Sequence, residues 1–247
     1  MARPAVARKA RRCPGDRDET VRPRDWPPRN GWPRAWPPLL GRALIAALLA
    51  PPLCWSCGAH ASKGRALCNG CRRGLVFLPR EPVVLSGVPV WAPVAYEGPG
   101  RDLVRALKFR GALTLAREMS ALVVASAPRD VLTGDLVPVP LHPVRQRRRG
   151  FNQAAVLADS IARVTGLAAS DCLRRRGPGP PQVGRTRGAR LAGPAGSIEA
   201  RARVPPVALI VDDVVTTGAT LAACATALRR AGATEVAAIA FARTPGR

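Results

Sequence analysis

The sequence predicts an α/β protein: a parallel sheet flanked by helices, with a small cysteine module ahead of it. Three observations carry this prediction. From residue 88 to residue 241, short apolar strand-like runs alternate with helix-period segments, the pattern of strands joined by crossover helices. One of those runs, Val207 to Val211, ends in two adjacent acids and a threonine- and glycine-rich turn that opens a helix. Ahead of the alternation stand four cysteines in two C-x2-C pairs.

The chain opens on a basic segment. Residues 1 to 41 carry ten basic and four acidic residues, net +6, within a total of 39 Lys+Arg against 16 Asp+Glu and a net charge of +23. Prolines recur through this segment without an apolar period, so it reads as a disordered tail. Its Trp26-Pro27-Pro28 to Trp36-Pro37-Pro38 stretch has the composition of a polyproline II ligand; the plainer reading is a tail with no role. Residues 43 to 50 are apolar, begin too late for a signal peptide and are expected to form a short helix. No apolar run reaches the 18 or so residues of a membrane span, and a cytoplasmic protein is expected.

Cys54 and Cys57, then Cys68 and Cys71 ten residues further on, are spaced as two turns that each offer two thiolates, enough to close a tetrahedron around structural zinc. Gly58 and Gly70 are placed where such turns need a tight backbone. His60 is the rival ligand and is expected to stand aside. Four protein ligands would leave no open position for catalysis. The domain plan is therefore a tail (1–41), a short helix with the cysteine module (42–80), and the α/β domain (81–247).

Within that domain, Val88 to Tyr96 is strand-like but broken by prolines, so an edge strand, ended by Gly98-Pro99-Gly100. Arg101 to Phe109 and Ala112 to Ala127 are helical. Leu136 to Pro140 is a short strand leading into Arg145-Gln146-Arg147-Arg148-Arg149-Gly150, read as a basic loop, and Phe151 to Val164 is the next helix. Residues 174 to 206 are Arg/Gly/Pro-rich and patternless, so a long loop. Val207 to Val211 is a buried strand, Ala219 to Ala231 a helix and Glu235 to Phe241 the last strand.

The 207–221 segment carries the chemistry. Ligands bind outside the carboxyl ends of strands in such sheets. Helix-start amides with the Thr216, Thr217 and Thr220 hydroxyls are suited to a phosphate, and Gly218 lets the backbone come close. Asp212 and Asp213 would repel a phosphate unless they face something else; a ribose diol or a magnesium ion is the natural partner. The competing reading is an ordinary helix start with solvated acids.

This segment resembles the phosphoribosyl pyrophosphate (PRPP) signature of type I phosphoribosyltransferases. The resemblance implies that fold for the domain. It also implies that Asp212 and Asp213 take the ribose 2′- and 3′-hydroxyls, and that the turn from Val214 through Thr216, Thr217, Gly218, Ala219 and Thr220 takes the 5′-phosphate. The two C-x2-C pairs, Leu107-Lys108-Phe109-Arg110-Gly111, Val137-Pro138-Val139-Pro140-Leu141 and Arg149-Gly150-Phe151-Asn152-Gln153-Ala154 resemble the ComF family (ComFC/GntX-like proteins) over roughly residues 42 to 243, with its N-terminal zinc-ribbon-like module. By that resemblance Arg149, with Arg145, Arg147 and Arg148, faces pyrophosphate, and Lys108 and Arg110 add to that site. His142 is given no role. Residues 174 to 203 correspond to the flexible lid, where Gln182-Val183-Gly184 and Arg190 fit and Gly193-Pro194 departs from the usual Asn. Residues 75 to 95 correspond to the variable hood that selects the base.

Three functions follow: a magnesium-dependent phosphoribosyltransferase acting on a nucleobase-like acceptor, a PRPP- or nucleotide-binding regulator without turnover, or a competence factor handling incoming single-stranded DNA with other competence proteins. The charge leaves these open. Of the 39 basic residues only Lys9, Lys63 and Lys108 are lysine, which fits GC-rich coding as well as an anionic partner. Residues 145 to 203, with thirteen arginines against three acids, hold a net +10 on loops expected to face phosphates. Aromatics at 4% argue against a surface of stacked bases.

Overall fold

The computed structural model describes residues 53–62, 64–110, 114–128, 130–175 and 198–246. The predicted tail, the helix over 43–50 and the lid residues 182, 183, 184 and 190 lie outside them. The chain divides into two compact units, Met1–Gly74 and Leu75–Arg247.

In the first unit the chain folds around its thiols. The Cys54-to-Ala59 turn closes with the Cys54 amide donating to the Ala59 carbonyl at 2.8 Å, and Gly58 takes a left-handed φ of +79° that a glycine adopts without strain. Helix α1 (Asn69–Arg73) follows, with the Cys68 sulfur as its N-cap accepting from the Cys71 amide. Gly70 therefore lies in the first turn of a helix and needs no special backbone, contrary to expectation.

The second unit is a mostly parallel sheet. Its strands are β1 (Val83–Leu85), β2 (Val88–Trp91), β3 (Val94–Ala95), β4 (Asp135–Pro138), β7 (Val207–Val215) and β8 (Glu235–Arg243). They run in the order β1-β2-β8-β7-β4, with β3 also on β8; β1 alone is antiparallel. The apolar run of β7 sits in the middle, buried on both faces as parallel strands are. Ala208 and Ile210 join a core shared with helix α6 (Ala219–Arg230). By strand alternation Leu209 and Val211 point the other way, where helix α5 (Gln153–Thr165) packs on β7 and β4 and against helix α3 (Thr114–Ser126).

Four expectations change. Val88–Tyr96 is not the sheet edge, because the three-residue β1, too short to show a period, folds back outside β2. Proline does interrupt the run, between β2 and β3. Gly98-Pro99-Gly100 opens helix α2 (Gly98–Arg110) instead of ending a strand, since proline is tolerated in a first helical turn. A Cβ on Gly100 would come within 2.7 Å of both the Ala95 carbonyl oxygen and Val94 Cγ1, so the glycine lets the helix start against β3. The arginine run is helix α4 (Pro143–Arg149), not a loop: His142 Nδ1 accepts from the Val144 amide, Pro143 starts the first turn, and left-handed Gly150 stops it. Finally, the patternless 174–206 stretch holds two strand segments, β5 (Leu173–Arg175) at its start pairing antiparallel with β6 (Ile198–Ala200) beside α6.

Candidate functional site

Parallel β7 and β4 lie side by side, with Val211 opposite Pro138. Each hands the chain to a helix at its carboxyl end, and between the two exits lies a cleft of ≈ 220 Å³. Its acidic wall is Asp212 and Asp213, still in β7, with Val214 and Thr220; its basic wall is Arg145 and Arg149, one helical turn apart on α4. Lys108 from the end of α2 and Arg175 from β5 complete the ring of charge.

The two acids both line the cleft but have different surroundings. Asp213 is 4% exposed, and its Oδ2 lies 2.8 Å from Lys108 Nζ. Asp212 accepts the Asp213 amide on Oδ1 at 2.8 Å and has no ion pair among those of the described residues. Burial, and then the adjacent Asp213 carboxylate, push the Asp212 acid well above the usual range, with Lys108 offsetting part of the rise. Burial lowers Arg149 from the ordinary arginine value while the charge of Asp213 raises it, so the two walls are electrostatically in touch. The Arg149 guanidinium also sits over the Phe109 ring, 5.2 Å from its centroid, a cation–π contact that holds the side chain at the cleft.

The remaining predicted residues divide. Thr216, Thr217 and Ala219 are exposed at the turn, beyond the cleft wall. Gly218 is buried at the α6 N-cap with φ +79°, and Thr217 Oγ1 accepts from the Ala219 amide. Arg147 and Arg148 do not line the cleft, because helical spacing turns them off the face that Arg145 and Arg149 share. Arg110 closes α2, and its side chain lies outside the described residues. His142 is a helix cap, which accounts for its having no chemical role in the motif.

Sequence reading missed Arg175 and gave no role to Gln153. Arg175 stood at the start of a patternless loop and carried no signal. Gln153 lines the cleft at 3% exposure with its Oε1 buried and unpartnered. Its neighbour Asn152 is spent on structure, capping α5 through the Ala154 amide and donating to the Val139 carbonyl.

In the first unit Cys54, Cys57, Cys68 and Cys71 bring their sulfurs within 4.8 Å of one another, and could hold a metal ion. The Cys57 and Cys68 sulfurs are 3.8 Å apart, the edge of a tetrahedron with arms of about 2.3 Å. The Ala59 and Cys71 amides donate to Cys57 and Cys68, which favours thiolates. His60 is exposed and outside the cluster, as expected.

No protein-family model matches the chain. It is similar to Competence protein F of Haemophilus influenzae, 29% identical over 202 residues, 75% of this chain and 82% of that protein. It is also similar to the adenine phosphoribosyltransferase of Mycobacterium avium, 44% identical over 96 residues, 36% of this chain and 49% of that enzyme, so it spans about half of that relative's length. Among solved structures, a glutamine PRPP amidotransferase from B. subtilis complexed with ADP and GMP overlaps 50% of this chain and 26% of its own, with a TM-score of 0.36 and 23% identity. Leishmania donovani UMP synthase overlaps 67% and 27%, with a TM-score of 0.31 and 20% identity. No helix among the described residues is long and apolar enough to cross a membrane.

Proposed function

We propose that the α/β unit binds PRPP at the β7–β4 cleft and transfers its phosphoribosyl group to a nucleobase-like acceptor. The observation that carries this reading is the opposition of two carboxylates and two guanidiniums across one small cleft at the carboxyl edge of the sheet. A ligand with a diol at one end and a polyphosphate at the other matches that polarity; a plain polyphosphate would be repelled by Asp212 and Asp213. The similarity to an adenine phosphoribosyltransferase supports it.

In this reading Asp212 and Asp213 accept the ribose hydroxyls, and Val214 through Thr220 enclose the 5′-phosphate with backbone amides and hydroxyls. As the C1′–O bond to pyrophosphate breaks, negative charge grows on the leaving group and positive charge on the ribose. Arg149 and Arg145 meet the first as bidentate donors already in place; the acid pair stabilises the second. Lys108 pairs with Asp213 meanwhile. Magnesium fits the oxygen donors Asp212 and Asp213 and, bound with the polyphosphate, would share the leaving group's charge. The four thiols, for their part, are proposed to hold zinc as a structural ion; Cys54→Ser/Cys57→Ser is expected to lose it, and unchanged zinc content by elemental analysis would reject these ligands.

Calorimetric titration of PRPP with magnesium tests binding, and absence of heat in the zinc-loaded protein rejects it. Release of pyrophosphate with one member of a base panel separates a transferase from a regulator that only binds. The similarity to Competence protein F favours a second reading, that the basic surface handles single-stranded DNA. It predicts affinity that falls steeply with salt and survives deletion of residues 1–41.

A further inference from the structure

The β1–β2 hairpin ends against the turn that leaves β7. Ser86 Oγ donates to the Thr217 carbonyl at 2.9 Å, across 131 residues of sequence. One residue on, Gly218 lies beneath Leu85: a Cβ at 218 would come 2.8 Å from Leu85 Cβ and 3.2 Å from the Leu85 carbonyl oxygen. Two adjacent positions of the hairpin thus hold two adjacent positions of the β7–α6 turn.

The hairpin turn is unusual for its own sequence. Leu85 pairs with Val88, leaving Ser86-Gly87 as a two-residue loop with φ of +48° and +77°. Both central residues are left-handed, the geometry that Asn-Gly or Gly-Gly adopts readily. Ser86 is the one non-glycine with positive φ among the described residues, and serine lacks the preference for that region that asparagine has. A residue that breaks the local rule is kept where a tertiary contact compensates. Here that contact is the hydroxyl's bond to Thr217.

The bond sets the direction of a peptide plane. Carbonyl and amide point opposite ways across a trans peptide. With the Thr217 carbonyl turned to the hairpin, the Gly218 amide is turned away from it, at the N-terminal end of α6. We infer that Ser86 is a positioning residue, which holds the Thr217–Gly218 peptide so that its N–H meets the terminal phosphate of a phosphoribosyl ligand. The inference rests on the PRPP reading above and adds to it the hairpin, whose side chains do not line the cleft.

Calorimetric titration of PRPP with magnesium into the full chain tests it, with thermal melts alongside, on the wild type, Ser86→Gly and Ser86→Asn. Glycine suits the left-handed turn but has no hydroxyl. Asparagine suits it and carries an amide donor. Ser86→Gly is expected to bind roughly three- to tenfold more weakly, the effect of one lost hydrogen bond, with a melting temperature within a few degrees of wild type. Ser86→Asn is expected to recover part of that loss. A residue that only shapes the turn would give the opposite pattern, so Ser86→Gly binding as tightly as wild type overturns the positioning role alone. Wild-type protein that takes up no PRPP overturns the reading of the site, and the role with it.

Discussion

Two adjacent strands end at the same edge of the sheet, and the turns they feed are built in opposite ways. β7 keeps its two acids inside the strand and opens α6 through a glycine with no side-chain cap. β4 passes through a capped, proline-started helix that puts its charge at its last turn, where cations are favoured by the helix dipole. The first turn is braced from outside by the β1–β2 hairpin. The second is braced by its own N-cap and by Phe109. The difference shows what each wall needs. Buried carboxylates need fixed partners close by, whereas guanidiniums need only a rigid element to project from and room to reach a ligand.

The largest effect is expected on the acidic wall. Asp213→Ala removes the proposed diol acceptor and strands the half-buried Lys108 ammonium, so PRPP affinity should fall by at least about a hundredfold and stability by about 2 kcal/mol; calorimetry and urea unfolding read the two. Unchanged affinity would place the ligand elsewhere. Next comes the basic wall, where the helix makes a sharp division. Arg149→Ala should weaken PRPP binding by about 10- to 100-fold, while Arg147→Ala on the outer face should leave it near wild type. Equal losses at the two positions would mean the run acts as diffuse charge, which favours the DNA reading.

The smallest change in stability sharpens the contrast between the two acids themselves. Asp212 is held above its unfolded-state value, so ionising it disfavours the folded state. That penalty is absent below the unfolded value, grows as pH rises towards the folded value and stays constant above it. Asp212→Asn keeps the oxygen that accepts the Asp213 amide and removes the penalty. Its melting temperature should exceed wild type by a few degrees at neutral pH, with the gain vanishing in acid, even as PRPP binding is lost. A variant that melts lower at neutral pH would mean Asp212 is stabilised as an anion.

Much of this was legible in the residues. β7 announced itself because its first five residues, buried on both faces, must be an apolar run, and the acids and the Thr/Gly turn follow that run directly. The cysteines were legible for the same reason: ligand spacing is local. The arginine run was visible as charge but not as a helix, because seven residues carry no apolar stripe to give a period; His142, Pro143 and Gly150 were its cap, start and stop signals. β1, β5 and β6 were invisible because three residues are too few for alternation to emerge.

By itself, then, the sequence determined the contiguous signals: an apolar strand, an acid pair, a glycine turn and paired thiols, each legible without knowing its neighbours in space. Only the tertiary structure decided which of them meet. Lys108 reaches Asp213 and Phe109 lies under Arg149 because α2 ends beside the cleft. Arg175 joins them from a hairpin with no signal of its own, and Ser86 finds Thr217 because β1 turns back at the sheet edge. Those contacts span long loops of chain. Their closure is driven by burying the sheet between its helices, a property of the whole packed layer that no local run of residues encodes.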